Sequence, residues 1–247
     1  MIKFVRNESG INDKIFKFYF NDIIFVLYIK IIPPYGLRLL KKYSKKISFS
    51  GENKNFLDIG CGNSSPLRFA YMFDKNYNYY GLDREEYNIR TADKSIGKIY
   101  SIDLEKQNIK EILKNTKFSI INFTHVIEHL NNGYDVISQL REIQPKGGLL
   151  YIETPSPESI TFKSTGSGTL NFFDDLSHKK VYPIDEIEKI LIKNNYKIIK
   201  KGKRKDYRML IIFPIAIIIF ILIRKPVYGT FLWDIKGFAN YILAEAI

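Results

Sequence analysis

Three aspartates close successive apolar runs: Asp58 in "NFLDIGCGNSS", Asp83 in "YYGLD" and Asp103 in "YSIDL". Gly60 and Gly62 follow the first of them, one residue apart. Without a Cβ, glycine lets a backbone turn sharply and come close to a ligand. A dinucleotide fold calls for GxGxxG aimed at a pyrophosphate. Here Gly60-Cys61-Gly62-Asn63-Ser64-Ser65 has no third glycine, and an acid stands ahead of the turn. That combination suits a cationic ligand without phosphate, although an ordinary strand-to-helix turn also explains a glycine pair. Asp83 falls about 20 residues further on, where a carboxylate can grip the two hydroxyls of a ribose. Asp103 could reach an adenine amino group. Any one of these acids is equally well a helix N-cap; three at successive strand ends are harder to explain that way.

Proton transfer near neutrality points to histidine, and the chain has three: His125 and His129 in "THVIEHL", and His178 in "DDLSHKKVYP". His178 in a long loop is a candidate base, or else a residue holding that loop by a hydrogen bond. His129 follows Glu128 in a turn expected to begin the next helix, which favours a structural role. Cys61 is the only cysteine, so an intrachain disulfide and a CxxC metal pair are both excluded.

These residues need a scaffold that brings strand ends together. From about 56 to 153, short apolar runs alternate with helix-length segments. Strands are expected at "NFLDIG", "YNYYGLD", "GKIYSID", "FSIINFT" and "GLLYIETP". Helices are expected over 64–74, 84–94, 106–115 and 131–143. This pattern predicts βαβ units and a parallel, doubly wound sheet, with helices on both faces. Residues 156–183 read as a long loop, a length uncommon without a function. "PIDEIEKILIKNN" reads as a further helix, followed by the strands "YKIIKKGK" and "GFANYILAEA". An aromatic, apolar segment at 11–32 suggests one or two helices against the core. The expected organisation is an N-terminal helical cap over 1–50 and one α/β domain over 51–247.

Residues 55–153 resemble a class I S-adenosylmethionine-dependent methyltransferase of the bacterial type 11/12 kind. The resemblance rests on "LDIGCGNS", "GLD", "SID", "INFTHVIEHLNN" and "PKGGLLYIETP" in that order; Ser64 stands where the family often has a third glycine. It implies a Rossmann-like seven-stranded sheet in the order 3-2-1-4-5-7-6 with the seventh strand antiparallel. It implies S-adenosylmethionine as cofactor, held by Asp58, Gly60, Cys61, Gly62, Asp83, Arg84, Asp103, Leu104, Thr124 and His125, with His125 nearest the methionine part. The segment around His178 resembles the D-x-T/S-H-x-x-x-Y/F-x-P loop of small-molecule and glycan methyltransferases, which implies an acceptor-facing histidine. His178 and His125 are the candidate catalytic residues. Glu128, His129 and either other histidine could also form a metal site, since small-RNA-terminal methyltransferases hold a metal with a similar glutamate and histidine pair. Position 125 lacks the second acid of that set, and no metal is expected.

Between the last two strands, Met209 to Ile223 is an uninterrupted apolar run flanked by Arg208 and by Arg224 and Lys225. It is shorter than the roughly 20 residues that span a bilayer, and Pro214 would disturb a helix. Residues 207–235 are therefore read as a helical insert that returns to its starting side. Its basic flanks, with Lys197, Lys200, Lys201, Lys203, Arg204 and Lys205 nearby, suit peripheral contact with anionic lipid; a buried helix or a dimer contact is the alternative. The net charge of +12 favours an anionic partner or simply a Lys-rich exterior.

The start of the chain lacks a secretory h-region, so a cytoplasmic location is expected. The expected activity is O-methylation of a small-molecule, glycan or lipid-linked acceptor. An NAD(P)- or nucleotide-sugar-dependent oxidoreductase would want GxGxxG and a helical YxxxK. Tyr196 and Lys200 instead fall in a strand, about 13 Å apart. A non-catalytic basic protein binding RNA or anionic lipid is the other alternative; the aromatics lie within apolar runs, which favours core over stacking surface, and no specific nucleic acid is expected.

Overall fold

The computed structural model describes residues 34–45, 54–62, 65–85, 95–164, 170–207 and 232–247, with positions 214, 217 and 218. The apolar segment at 11–32, most of the helix expected at 84–94 and most of the insert at 207–235 lie outside the described residues. In chain order the elements are helix α1 (Tyr35–Ser44), strand β1 (Asn55–Ile59), α2 (Ser65–Phe73), β2 (Asn78–Asp83), β3 (Gly97–Ser101), α3 (Ile109–Ile112), β4 (Ile120–Thr124), α4 (Gly133–Glu142), β5 (Leu149–Pro155), α5 (Ile184–Lys193), β6 (Tyr196–Lys203), α6 (Trp233–Lys236) and β7 (Ala239–Ala246).

The strands form one sheet in the order β3-β2-β1-β4-β5-β7-β6. Strands β1 to β5 pair in parallel, while β7 runs antiparallel to both β5 and β6. This is the order that the resemblance to methyltransferases implies. β1 and β5 are buried along their whole length, as strands covered on both faces are, and so they are mostly apolar, with Asn55, Asp58, Glu153 and Thr154 as buried polar exceptions. On one face Leu57, Ile59, Leu82, Ile121, Phe123, Leu150 and Ile152 pack under Val136, Ile137 and Leu140 of α4 and under Ile187 and Leu191 of α5. The one- and four-residue spacings of these helical positions put them on a single stripe. On the other face Phe56, Tyr79, Ile120, Leu149 and Tyr151 meet Leu37 and Leu40 of α1 and Leu67 and Ala70 of α2. Each fully buried Leu or Ile contributes roughly 1.5–3 kcal/mol.

Two expectations need correction. The helix expected over 106–115 is the single turn α3: Asn108 caps it by accepting from the Lys110 amide at 2.8 Å, and the left-handed Lys114 and Asn115 (φ 49° and 60°) stop it. The turn at Glu128 and His129 does not begin α4. It is a separate 3-10 turn, Ile127–His129, with Leu130 to Asn132 between.

The basic cluster near the insert is partly committed to structure. Lys201 pairs with Asp185 at 2.7 Å and Glu188 at 2.6 Å, Lys203 with Glu158 at 2.8 Å, and Arg204 with Glu153 and Asp234, each at 2.7 Å. Lysines on β6, an edge strand, also discourage pairing with another chain. Among the described residues, no helix is long and apolar enough to cross a membrane.

Candidate active site

The strand order reverses between β1 and β4, and the ligand crevice of an open parallel sheet lies beyond the carboxyl ends of such strands. The register puts Asp58 beside Gly81 on one side and Asn122 on the other. Because side chains alternate between faces, Asp83, two residues beyond Gly81, shares the face of Asp58 and Asn122. The Asn122 side-chain amide donates to Asp58 Oδ1 at 2.6 Å. Thr124 Oγ1 donates to Asn122 Oδ1 at 3.0 Å, which turns that amide towards the acid. Asp58 Oδ2 is buried with no hydrogen-bond partner. Burial raises the Asp58 pKa to about 7, opposed by the Asn122 hydrogen bond and reinforced by the charge of Asp83.

A tight turn links these acids. The Gly60 and Cys61 amides donate to the Leu82 carbonyl at 2.8 and 3.0 Å, and the Gly62 amide donates to Asp83 Oδ2 at 2.8 Å. Gly60 and Gly62 are left-handed, with φ of 70° and 55°. A Cβ at Gly60 would lie 2.2 Å from Val126 Cγ2, whereas one at Gly62 would meet no atom within 4 Å. The first glycine therefore admits the β4 side of the crevice, and the second faces open space. The buried Cys61 thiol is pushed up in pKa by burial.

The other expected cofactor residues divide. Arg84 is exposed and pairs with Glu85 at 3.0 Å. Asp103 lies beyond the end of β3, takes the Glu105 amide at 3.0 Å and sits 3.4 Å from Lys106. Leu104 is buried, and its carbonyl accepts from Asn132 Nδ2 at 3.2 Å.

His125, expected beside the methionine part and as a candidate base, is engaged elsewhere. Its left-handed backbone (φ 54°) sets the ring between Glu128 Oε1, 3.2 Å from Nδ1, and Glu153 Oε1, 3.0 Å from Nε2. Trp233 and Phe238 flank it with ring centroids at 4.8 and 6.2 Å. Burial alone would lower its pKa, but the hydrogen bonds and charges of both glutamates raise it to about 9. At neutral pH it is an imidazolium with no lone pair to offer. Arg204 continues the buried network from Glu153 to Asp234, binding the aspartate through two nitrogens. Glu153 is held well below the usual carboxylate range despite burial, chiefly by the Arg204 charge and by His125. Nothing in "LLYIETP" signals that Glu153 would be buried and paired; its charged partners are His125, beyond β4, and Arg204, just after β6, both remote in sequence.

His129 and His178 do come together, with ring centroids 4.8 Å apart. His178 Nδ1 lies 2.6 Å from the Phe172 carbonyl, and the ring sits on Phe172 at 4.6 Å. His129 Nδ1 lies 3.0 Å from Ser177 Oγ. The backbone carbonyl of the fully buried Glu128 accepts from the Lys179 and Lys180 amides at 2.8 and 3.2 Å, which fastens the His178 loop to the 3-10 turn carrying His129.

A doubly wound sheet with strand order 3-2-1-4-5-7-6 and acids at the ends of its first two strands defines a Rossmann-like methyltransferase. A family model described as a methyltransferase domain matches residues 32–201, and the chain belongs to that family. Solved structures agree on the fold. A SAM-dependent methyltransferase from Archaeoglobus fulgidus is 18% identical, with 90% of this chain and 99% of that one covered at a TM-score of 0.54. One from Mesorhizobium loti is 13% identical, covering 83% and 96% at a TM-score of 0.58. The plantazolicin methyltransferase BpumL, solved in complex with SAH, is 16% identical, covering 86% and 82% at a TM-score of 0.57. A search of curated proteins finds no significant match. By family and fold the chain is an S-adenosylmethionine-dependent methyltransferase.

Proposed function

We propose that the protein methylates an oxygen of a small-molecule, glycan or lipid-linked acceptor. The donor fits the crevice on two observations: an unpartnered, buried Asp58 oxygen and open space over Gly62. Asp58 would hold the ammonium of the donor's methionine part, and Asp83 the ribose hydroxyls. Each such hydrogen bond to a charged group contributes roughly 1.5–3 kcal/mol. Asp103 and Leu104, beyond β3, are assigned to the adenine side. When bound, S-adenosylmethionine supplies an electrophilic methyl group whose leaving group departs neutral. The protein's part is to align the acceptor and accept its proton.

The observation that carries the oxygen acceptor is the His129–His178 pair at the carboxyl edge of the sheet. A hydroxyl acceptor must lose a proton, and His178 is the residue we assign to face it. His125 serves instead as a positioning residue, through Glu128. A lipid-linked acceptor is supported by the apolar run Met209 to Ile223 and its basic flanks, and by the end of the insert: Trp233 lies against His125 with its ring tilted, and Asp234 joins its network through Arg204.

Calorimetry with S-adenosylhomocysteine and with NAD tests the cofactor; binding of NAD alone would overturn the reading. Transfer of labelled methyl from the donor to hydroxyl-bearing acceptors, against matched amines and carboxylates, tests the atom methylated. Co-sedimentation with phosphatidylglycerol vesicles, lost on deletion of 209–230, is the expected outcome for a lipid-facing insert; unchanged sedimentation removes that part.

A further inference from the structure

We propose that Glu128, His129 and His178 form a binding site for one divalent transition-metal ion. The absence of an acid at position 125 argued against a metal, but of the two remaining histidines tertiary structure brings His178 to the pair, while His125 is held between Glu128 and Glu153. One ligand atom from each of the three residues lies within 4.8 Å of the other two. Glu128 is fully buried, and the two histidines are partly so.

The hydrogen bonds fix which imidazole nitrogens are available. The Phe172 carbonyl can only accept, so His178 Nδ1, 2.6 Å away, carries the proton, and Nε2 carries the lone pair. Ser177 Oγ donates its single proton to Asp175 Oδ1 at 2.6 Å. Its oxygen therefore accepts from His129 Nδ1–H at 3.0 Å, which again leaves Nε2 with the lone pair. The nearest carboxylate oxygen to His178 Nε2, Asp175 Oδ2, is 3.9 Å off, beyond hydrogen-bond reach. Both rings thus keep a lone pair at Nε2, with Nδ1 held by a hydrogen bond of the kind that orients metal-bound histidine.

Glu128 is oriented likewise. Thr154 Oγ1 donates to its Oε2 at 3.1 Å, and His125 Nδ1 lies 3.2 Å from its Oε1. A carboxylate offers about four lone-pair sites, so these contacts leave room for a cation. Two imidazoles and one carboxylate suit zinc, iron(II), manganese or cobalt better than calcium or magnesium, which prefer oxygen ligands. Three protein ligands leave a coordination position open. Tetrahedral bonds of about 2.1 Å place ligand atoms about 3.4 Å apart, so binding would draw the three groups slightly inward.

With the ion bound, the histidines hold a cation instead of taking a proton. The open position would receive the acceptor oxygen and make its proton easier to lose to solvent. The oxygen then takes the methyl group, and the sulfur keeps the electron pair of the broken carbon–sulfur bond. This last step rests on the oxygen-acceptor reading; binding of the ion does not.

The test uses the full chain, stripped with a chelator and titrated separately with Zn2+ and Mn2+ against a chromophoric competitor, with S-adenosylhomocysteine binding measured in parallel. One equivalent of ion should bind. His129→Ala and His178→Ala should each weaken that binding by at least the roughly 10–100-fold that loss of a supporting group costs, while cofactor binding stays intact. Glu128→Gln should do the same; where its burial prevents folding, the two histidine variants carry the test. Absence of tight binding, or stoichiometric binding unchanged in the double histidine variant, would overturn the metal site. Failure of the unaltered protein to bind S-adenosylhomocysteine would instead strike at the methyltransferase reading.

Discussion

Asn122 and Asp58 are paired across neighbouring parallel strands, amide nitrogen to Oδ1 at 2.6 Å, and Asp58 Oδ2 has no partner. A buried acid half satisfied in this way is costly to the fold, and its second oxygen is free for a cationic group of a ligand. Asp58→Asn keeps the shape and removes the charge. S-adenosylhomocysteine affinity measured by calorimetry should fall by roughly 10–100-fold, the equivalent of about 1.5–3 kcal/mol for a charged hydrogen bond. The urea midpoint should not fall, and above pH 7 should rise, because the uncharged side chain removes the cost of the buried charge. Unchanged affinity would remove Asp58 from the cofactor site.

The same acid predicts a pH dependence. Its folded pKa of about 7 lies above the ordinary carboxylate value. Between about pH 4 and 7 the folded chain therefore holds a proton that the unfolded chain has lost, and this group's contribution to stability declines as pH rises through that window, then levels off. Cofactor binding should move the opposite way, because only the ionised form attracts the ammonium group. S-adenosylhomocysteine affinity should strengthen from pH 6 to 8 in the unaltered protein, and this trend should flatten in Asp58→Asn. A trend retained in the variant assigns the titration elsewhere.

Gly60 and Gly62 should respond differently to alanine. Both are left-handed, a strain of order 1–3 kcal/mol for a residue with a side chain. Gly60→Ala adds a collision with Val126, so its thermal midpoint should fall furthest. Gly62→Ala meets no neighbour within 4 Å. It should be the milder change to stability and the larger one to cofactor affinity, measured at a temperature where both variants are folded.

Arg204 lies between the buried Glu153 and the partly buried Asp234. Arg204→Leu takes the guanidinium from both and leaves Glu153 with His125 alone, and breaking a buried pair costs about 3–5 kcal/mol. Urea denaturation should show a loss of that size. Restoring much of it with Glu153→Gln in the same chain would confirm that the loss is electrostatic; no recovery would point to packing against Trp233.

The glycine turn, the acids at the ends of β1 and β2 and the strands themselves were legible because each is written in a contiguous stretch. Asp58 and Gly60 to Gly62 are neighbours in "LDIGCG", and alternating apolar runs mark parallel strands wherever they occur. The short α3 was harder to read. Its apolar spacing suggested a longer helix, while the left-handed Lys114 and Asn115 that end it carry no glycine or proline to announce them.

By itself the sequence determined the parallel sheet and the two carboxylates, since apolar runs alternating with helix-length segments and a chain-local turn mark these; the strand order followed only from the resemblance to methyltransferases. Tertiary structure decided which histidine does what. His125 and His129 are four residues apart, yet one turns into a buried ion network with Glu153 and Arg204, and the other meets His178 from a distant loop. Those partners lie many residues away along the chain, and an imidazole's charge and available lone pair depend on what surrounds it in space.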